Sequence, residues 1–75
     1  MSGDFETYNV QSSNIESVGY NPESKELLVC FKNGYDYRYY GVPIEEFQEL
    51  LAAGSKGKYL NAHIKDKYRY KKVGD

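Results

Sequence analysis

The sequence has few of the residues from which a catalytic or metal site is built. It contains one cysteine, Cys30, and one histidine, His63, so no internal disulfide can form and no Cys/His metal cluster is available. A lone cysteine in an apolar run is typical of a reducing compartment and packs as a small hydrophobic side chain. No nucleophile–base pair or Walker-type phosphate loop is present. We therefore expect no catalytic residue, no metal, no cofactor and no enzyme activity.

Long apolar runs are also missing. No stretch approaches the roughly 18–20 residues that a membrane-spanning helix needs. The first ten residues, MSGDFETYNV, lack the basic region and apolar segment of a secretory signal. We expect a cytoplasmic monomer with no membrane partner.

Tryptophan is absent and there are only three phenylalanines, so nine tyrosines supply most of the bulky side chains. Seventy-five residues form one small domain, whose core is thin because folding at this size buries only about 60% of the chain's surface. Four tyrosines fall within six positions: Tyr35, Tyr37, Tyr39 and Tyr40. They form either a stacking platform for bases or part of the core.

Charge is distributed unevenly along the chain. The first 55 residues carry three basic and nine acidic side chains, whereas residues 56–75 carry seven basic and two acidic ones. This asymmetry is typical of a segment that faces a polyanion. It is equally consistent with a basic end that lies over an acidic surface of the same domain.

The predicted elements are strands first and helices afterwards. Strands are expected at 12–20, 25–31 and 35–40, because these segments are apolar or aromatic and are separated by turn residues. A helix is predicted over 41–54, with Pro43 at its first position and Gly54 in a left-handed conformation at its end. A second short helix is predicted from about Tyr59 to Tyr68.

This order predicts an α+β domain, in which a small three-stranded antiparallel sheet (β-β-β) is followed by an α-helix and a second short helix packed on one face. The domain is expected over 12–70, between a flexible lead-in at 1–11 and a basic tail at 71–75.

The turn between the second and third strands decides which way the tyrosines point. A two-residue Asn33-Gly34 turn leaves both faces of the hairpin mixed. A three-residue loop, with Gly34 left-handed, pairs Phe31 with Tyr35 and separates an apolar face from a polar one. We prefer the second arrangement, which places Tyr37 and Tyr39 in the core beneath the first helix. It leaves Arg38 and Tyr40 on the opposite face, where they either stack on bases or cover neighbouring side chains.

The order of small motifs resembles the KTSC domain, which is named for its place at the C-terminus of some lysyl-tRNA synthetases and also occurs alone in bacterial and phage proteins. The resemblance spans about residues 12–70. The matching positions are Ser13, Ile15, Val18-Gly19-Tyr20, Leu27, Val29, Phe31, Gly34, Tyr37, Tyr39, Val42-Pro43, Ser55, Gly57, Tyr59, Asn61, Ile64 and Tyr68. The family has no established biochemical function, and RNA binding is implied by the synthetase association alone.

We predict a small non-catalytic binding module. Its candidate partner is RNA, either tRNA or another RNA. The alternative is a protein-interaction or accessory module, contacted at the acidic face of the first helix or at an open sheet edge. The segment GSKGKYLN at 54–61 is either a phosphate-binding loop or a plain helix-to-helix connection. The candidate nucleic-acid-binding residues are Arg38, Tyr40, Lys56, Lys58, Lys65 and Arg69. The residues expected to be structural are Tyr37, Tyr39, Pro43, Ser55, Gly57 and Asn61.

Overall fold

The computed structural model describes residues 6–73 of the chain. Their strands form one antiparallel sheet in the order β1-β2-β3-β4-β5. The strands are β1 (Glu6–Asn9), β2 (Ile15–Asn21), β3 (Glu26–Phe31), β4 (Asp36–Tyr39) and β5 (Tyr70–Val73). Between β4 and β5 lie helix α1 (Ile44–Ala52) and helix α2 (Lys56–Tyr59), and α2 continues directly into a π-helix (Leu60–Ile64). The parts of the predicted lead-in and basic tail at 1–5 and 74–75 lie outside the described residues.

The sheet has five strands, so the predicted three-stranded sheet is wrong in its strand count. Both additional strands lie where the sequence predicts irregular chain: β1 pairs with β2, and β5 pairs with β4. Each is four residues long and polar, so neither carries the apolar pattern of a strand. Their extended conformation comes from pairing with an existing sheet, whose exposed edge offers backbone hydrogen-bonding groups.

The hairpin between β3 and β4 has the three-residue loop, which confirms the preferred register. Val29 pairs with Tyr37 and Leu27 with Tyr39. The amide of Phe31 donates to the carbonyl of Tyr35 over 2.9 Å, and Gly34 has a φ of +96°. Left-handed backbone of this kind favours glycine, so Gly34 fixes the loop length and with it the face on which each tyrosine lies.

Both helices lie on one face of the sheet. Phe47 of α1 stacks on Tyr20 of β2 with ring centroids 5.0 Å apart, and it also contacts Tyr8 of β1. The helix therefore packs over the β1–β2 side of the sheet. The sequence had predicted that it would lie over Tyr37 and Tyr39. Buried residues from strands and helices meet between these layers: Ile15, Val18, Tyr20, Leu27, Val29, Tyr39, Val42, Phe47, Leu50, Leu60 and Ile64.

Helix α1 begins at Ile44, one residue after the predicted first position, and ends at Ala52, two residues before the predicted end at Gly54. Pro43 has extended backbone with ψ of 157° and is the residue before the first helical turn, where its missing amide hydrogen leaves no donor unpaired. At the other end Ala53 has extended backbone, and its amide donates to the carbonyl of Leu50. Gly54 is not left-handed, so the helix stops because the chain straightens at Ala53. Within residues 6–73, every helix is too short or too polar to span a bilayer.

The carboxylate of Glu46 joins α1 to the segment after the π-helix. It accepts a hydrogen bond from the hydroxyl of Tyr59 over 2.5 Å and one from the hydroxyl of Tyr68 over 3.0 Å. The ammonium of Lys67 lies 3.6 Å from the same carboxylate. Burial raises the pKa of Glu46, but the two hydroxyl donors and Lys67 outweigh it, and the pKa is lower than usual.

Candidate nucleic-acid interface

Strand β5 creates a basic surface on the sheet face that carries no helix. Arg38 of β4 pairs with Lys71 of β5, and the amide of Tyr40 donates to the carbonyl of Arg69 over 2.9 Å. Side chains of paired residues lie on the same face. We call the four residues Arg38, Tyr40, Arg69 and Lys71 the basic edge patch. It places three cations beside one tyrosine at the border of the sheet.

Exposure differs among the residues of the basic edge patch. Arg69 and Lys71 are exposed, whereas Arg38 is half-buried and its guanidinium lies 3.8 Å from a carboxylate oxygen of Glu26. Glu26 therefore neutralises part of the charge that Arg38 contributes. A shallow depression of about 540 Å³ lies among Tyr40, Arg69, Tyr70 and Lys71. The charge available to a ligand is thus concentrated at Arg69 and Lys71, at the start of β5.

On the opposite face, the same two strands form the floor of a second surface, which we call the aromatic cleft. Its aromatic residues are Phe31, Tyr37, Tyr39 and Tyr70, and its volume is about 570 Å³. The rings form a chain of contacts, with centroids of Tyr37 and Tyr70 5.8 Å apart and those of Tyr39 and Tyr70 5.7 Å apart. Tyr39 is buried, Tyr37 is half-buried and Tyr70 is 55% exposed. Burial, with the neighbouring Tyr37 and Tyr70, raises the pKa of Tyr39 to about 12.

Polar side chains surround the aromatic floor. Lys32 and Asn33 come from the β3–β4 loop, and Asn61 and Lys65 come from the π-helix and its end. Within residues 6–73, the side chains of Lys32, Asn61 and Lys65 form no hydrogen bond or ion pair. The cleft therefore combines exposed ring surface with an amide and two ammonium groups that are available to a ligand.

The segment at 54–61 is occupied by contacts of its own. The Ser55 hydroxyl accepts from the amide of Lys58 and caps α2, and the Lys56 ammonium donates to the carbonyl of Ala53 over 3.0 Å. A Cβ added at Gly57 would lie 2.9 Å from the Oδ1 atom of Asn14. These contacts fit a helix-to-helix connection. Lys58 remains exposed beside this connection.

Cys30 and His63 have ordinary structural surroundings. Cys30 is half-buried on the helix-free face, and burial, together with Asp36 and Glu16, raises the pKa of its thiol despite a hydrogen bond with Ser17. His63 stacks on Tyr59, with ring centroids 4.4 Å apart. Within residues 6–73, no group of three or more His, Cys, Asp or Glu side chains could hold a metal ion.

The predicted site residues thus fall into separate groups. Arg38, Tyr40 and Arg69 meet on one face, and the pattern missed Lys71 beside them. Lys65 lies on the other face at the aromatic cleft, whereas Lys56 and Lys58 lie beyond it, at α2. Of the residues expected to be structural, Tyr37, Tyr39 and Asn61 line the cleft. Tyr70 was missed, although the alternation of Arg69, Tyr70 and Lys71 is the signal of a strand with two different faces.

Comparison with known proteins identifies the family of the chain. Residues 11–68 match the KTSC domain. Two bacterial proteins are each 45% identical to the chain: one from Tsukamurella paurometabola over 60 residues, covering 80% of this chain and 90% of that protein, and an uncharacterized protein from Stutzerimonas stutzeri over 65 residues, covering 85% and 92%. A lysine–tRNA ligase from Nostoc sp. is 33% identical over 63 residues, which are 84% of this chain but 11% of the ligase.

A solved structure is similar to this chain in both fold and sequence. The crystal structure of a KTSC domain protein from Yersinia pestis superposes with a TM-score of 0.88 at 36% identity, over 95% of this chain and 100% of that one. The match covers only 11% of the ligase, so the activity of that enzyme does not transfer to this chain. The family match, the bacterial relatives and the shared fold agree, and the chain belongs to the KTSC domain family.

Proposed function

We propose that this domain is a non-catalytic RNA-binding module that contacts RNA, tRNA among the candidates, through the basic edge patch. The observation that carries the proposal is the pairing of β4 with β5, which sets Arg38, Arg69 and Lys71 around Tyr40 on one open face. The relationship to lysine–tRNA ligases, whose name gives tRNA as what they act on, supports RNA as the partner.

The chemistry of the basic edge patch fits a nucleic-acid backbone. Arginine and lysine bind phosphates, and a tyrosine ring offers a face on which any base can stack. The chain as a whole carries a net charge of −1, so attraction to RNA is confined to the surfaces where cations cluster. Binding is therefore expected to be moderate in affinity and strongly dependent on salt.

Fluorescence anisotropy with a labelled tRNA and a labelled single-stranded RNA oligomer tests the proposal. Each phosphate contact on single-stranded RNA adds about 0.7 to the slope of log K against log salt. We expect the Arg69→Ala/Lys71→Ala variant to bind the oligomer at least about tenfold more weakly and to lower that slope by about 1.4. Lys58→Ala is the control, because it removes an exposed cation that lies outside the patch.

Two outcomes would refute the proposal. One is that neither RNA binds at low salt. The other is that Lys58→Ala weakens binding as much as loss of Arg69 or Lys71 does, because the charge of the whole basic segment and not the patch would then attract RNA.

The second candidate function is a protein-interaction or accessory module. Strands β1 and β5 form the two edges of the sheet within residues 6–73, and an edge strand can pair with an extended segment of a partner. A purified partner whose binding survives nuclease treatment and broadens amide resonances of β5 would favour this function over RNA binding.

A further inference from the structure

We propose that the aromatic cleft holds one unpaired nucleotide, with its base stacked on Tyr70 and Tyr37 and its phosphate at Lys32 and Lys65. This inference rests on the proposed RNA-binding function and deepens it, since it gives the bound RNA a single-stranded state and a second contact surface. The side chains that bind Glu46 and those that form the hydrogen bonds of the 54–61 segment do not line the cleft.

The size and the floor of the cleft suit a planar ring. Its volume of about 570 Å³ lies within the range of about 300–1,000 Å³ that is usual for small-molecule sites. Tyr70 is the large aromatic side chain with the greatest exposure among residues 6–73, at 55%. An aromatic face that stays open to water next to other rings gains most from stacking on a base, because both partners lose apolar hydration.

The rim supplies groups that match the edge of a base. Carboxamides both donate and accept hydrogen bonds, as the edges of all four bases do. Asn61 projects from the π-helix into this region, and within residues 6–73 its side chain has no hydrogen-bond partner. π-Helical turns are rare in proteins, and those that occur are often found at functional sites. The position of Asn61 in such a turn is a second observation that favours it as a contact residue.

The charge of the cleft selects an anion. Lys32 and Lys65 are the charged side chains that line it within residues 6–73, and both are exposed. They come from the β3–β4 loop and from the end of the π-helix, two different elements of the fold. A phosphate attached to a stacked base can therefore be bound by ammonium groups while the ring occupies the floor.

Strand β5 connects the cleft with the basic edge patch. Tyr70 pairs with Tyr39 and lines the cleft, whereas Lys71 pairs with Arg38 of the basic edge patch. Tyr70 also borders the depression at that patch, beside Arg69 and Lys71. A single strand of RNA that crosses the β5 edge can contact both surfaces at once. A double helix cannot, since its bases are paired and stacked inside and are not free to enter a cleft.

An acidic peptide is the competing occupant. Its carboxylates would use Lys32 and Lys65 but would leave the tyrosine floor without a planar partner. The rings and the carboxamide together favour a nucleotide, and the experiment below separates the two.

Amide chemical-shift mapping with small probes tests the chemistry of the cleft. AMP is expected to shift resonances of Tyr37, Asn61, Lys65 and Tyr70, whereas ribose 5-phosphate, which lacks the base, is expected to bind at least about tenfold more weakly. A hexaglutamate peptide is the third probe. If ribose 5-phosphate binds as well as AMP, or if hexaglutamate shifts these residues at lower concentration than AMP, the inference is overturned.

Variants of the cleft test whether bound RNA uses it. Tyr70→Ala and Asn61→Ala replace exposed side chains, and each is expected to weaken binding of the single-stranded oligomer about fivefold to tenfold. Gln48→Ala is the matched control for Asn61→Ala, because Gln48 is an exposed carboxamide on α1 outside the cleft. Circular dichroism and urea denaturation confirm that each variant is folded.

An oligomer with abasic positions separates this inference from the proposed function. If the normal oligomer binds through Arg69 and Lys71 but the abasic one binds equally well, the cleft inference fails and the proposed function stands. If AMP binds at the cleft but no RNA binds at low salt, the proposed function fails and the cleft remains a nucleotide site. Tighter binding of the normal oligomer, lost in Tyr70→Ala and kept in Gln48→Ala, supports both.

Discussion

Removing the carboxylate of Glu46 is expected to destabilise the domain more than any other change to an acidic side chain of α1. The Glu46 side chain is only 11% exposed, and it receives hydroxyl donors from Tyr59 and Tyr68. A hydrogen bond to a charged group contributes about 1.5–3 kcal/mol. Because both tyrosines are half-buried, their hydroxyls regain part of this from water, and we expect Glu46→Ala to lower the free energy of unfolding by about 2–4 kcal/mol.

Urea denaturation followed by circular dichroism measures this loss. Glu45→Ala is the control, since Glu45 also lies in the first turn of α1 but is exposed. It removes the same favourable interaction with the helix dipole, which contributes about 0.3–1 kcal/mol. If Glu46→Ala and Glu45→Ala lower stability equally, the hydroxyl network contributes nothing and the reasoning is refuted.

The same carboxylate predicts how stability depends on acid. The pKa of Glu46 is lower in the folded state than its ordinary value of 4.5, so the folded state binds the proton less readily than the unfolded state does. The stabilisation is therefore complete above pH 4.5 and is lost as pH falls through the folded-state pKa. Glu46→Gln is expected to lose less stability than the parent between neutral and acid pH, as urea midpoints at several pH values will show.

Three further predictions concern other parts of the molecule. Gly57→Ala is expected to lower stability by about 1 kcal/mol, because its Cβ would lie 2.9 Å from Asn14 Oδ1, and Asn14→Ala should rescue it in thermal denaturation. Tyr37→Ala is expected to cost at least about 2 kcal/mol, since its ring contacts Phe31 and Tyr70, while Tyr40→Ala leaves the domain folded; equal unfolding midpoints would contradict this. In an absorbance titration at alkaline pH, Tyr39, Tyr59 and Tyr68 should ionise near pH 12. Because folding raises their pKa above the ordinary value of 10, the stability they contribute is complete below pH 10 and is lost as pH rises through the folded-state pKa values.

The central hairpin was predictable from sequence because its two faces differ so strongly. In β4 the tyrosines alternate with Asp36 and Arg38. Only a three-residue loop aligns these tyrosines with Leu27, Val29 and Phe31 of β3. A slip of one residue would have turned the whole apolar face towards water. The loop glycine, Gly34, agreed with this register through its left-handed backbone.

The two edge strands were not predictable in the same way. Residues 6–9, ETYN, and 70–73, YKKV, have no continuous apolar face, and four residues are too few for a clear alternation. They become strands because β2 and β4 present unpaired backbone to them. The consequence for the site is large, since Arg69 and Lys71 reach one face and Tyr70 the other only because β5 pairs with β4.

The sequence by itself determined the family, the α+β class, the register of the central hairpin and the concentration of cations after residue 55. These properties depend on residues that are close along the chain or on the order of small motifs. Only the tertiary structure decided that Lys71 lies in an edge strand with Arg69 just before it. It also decided that Lys56 is held by the end of α1 and that Tyr37 and Tyr70 share a cleft with Asn61. Those relations depend on backbone pairing and side-chain contacts between segments far apart in sequence, which local patterns do not encode.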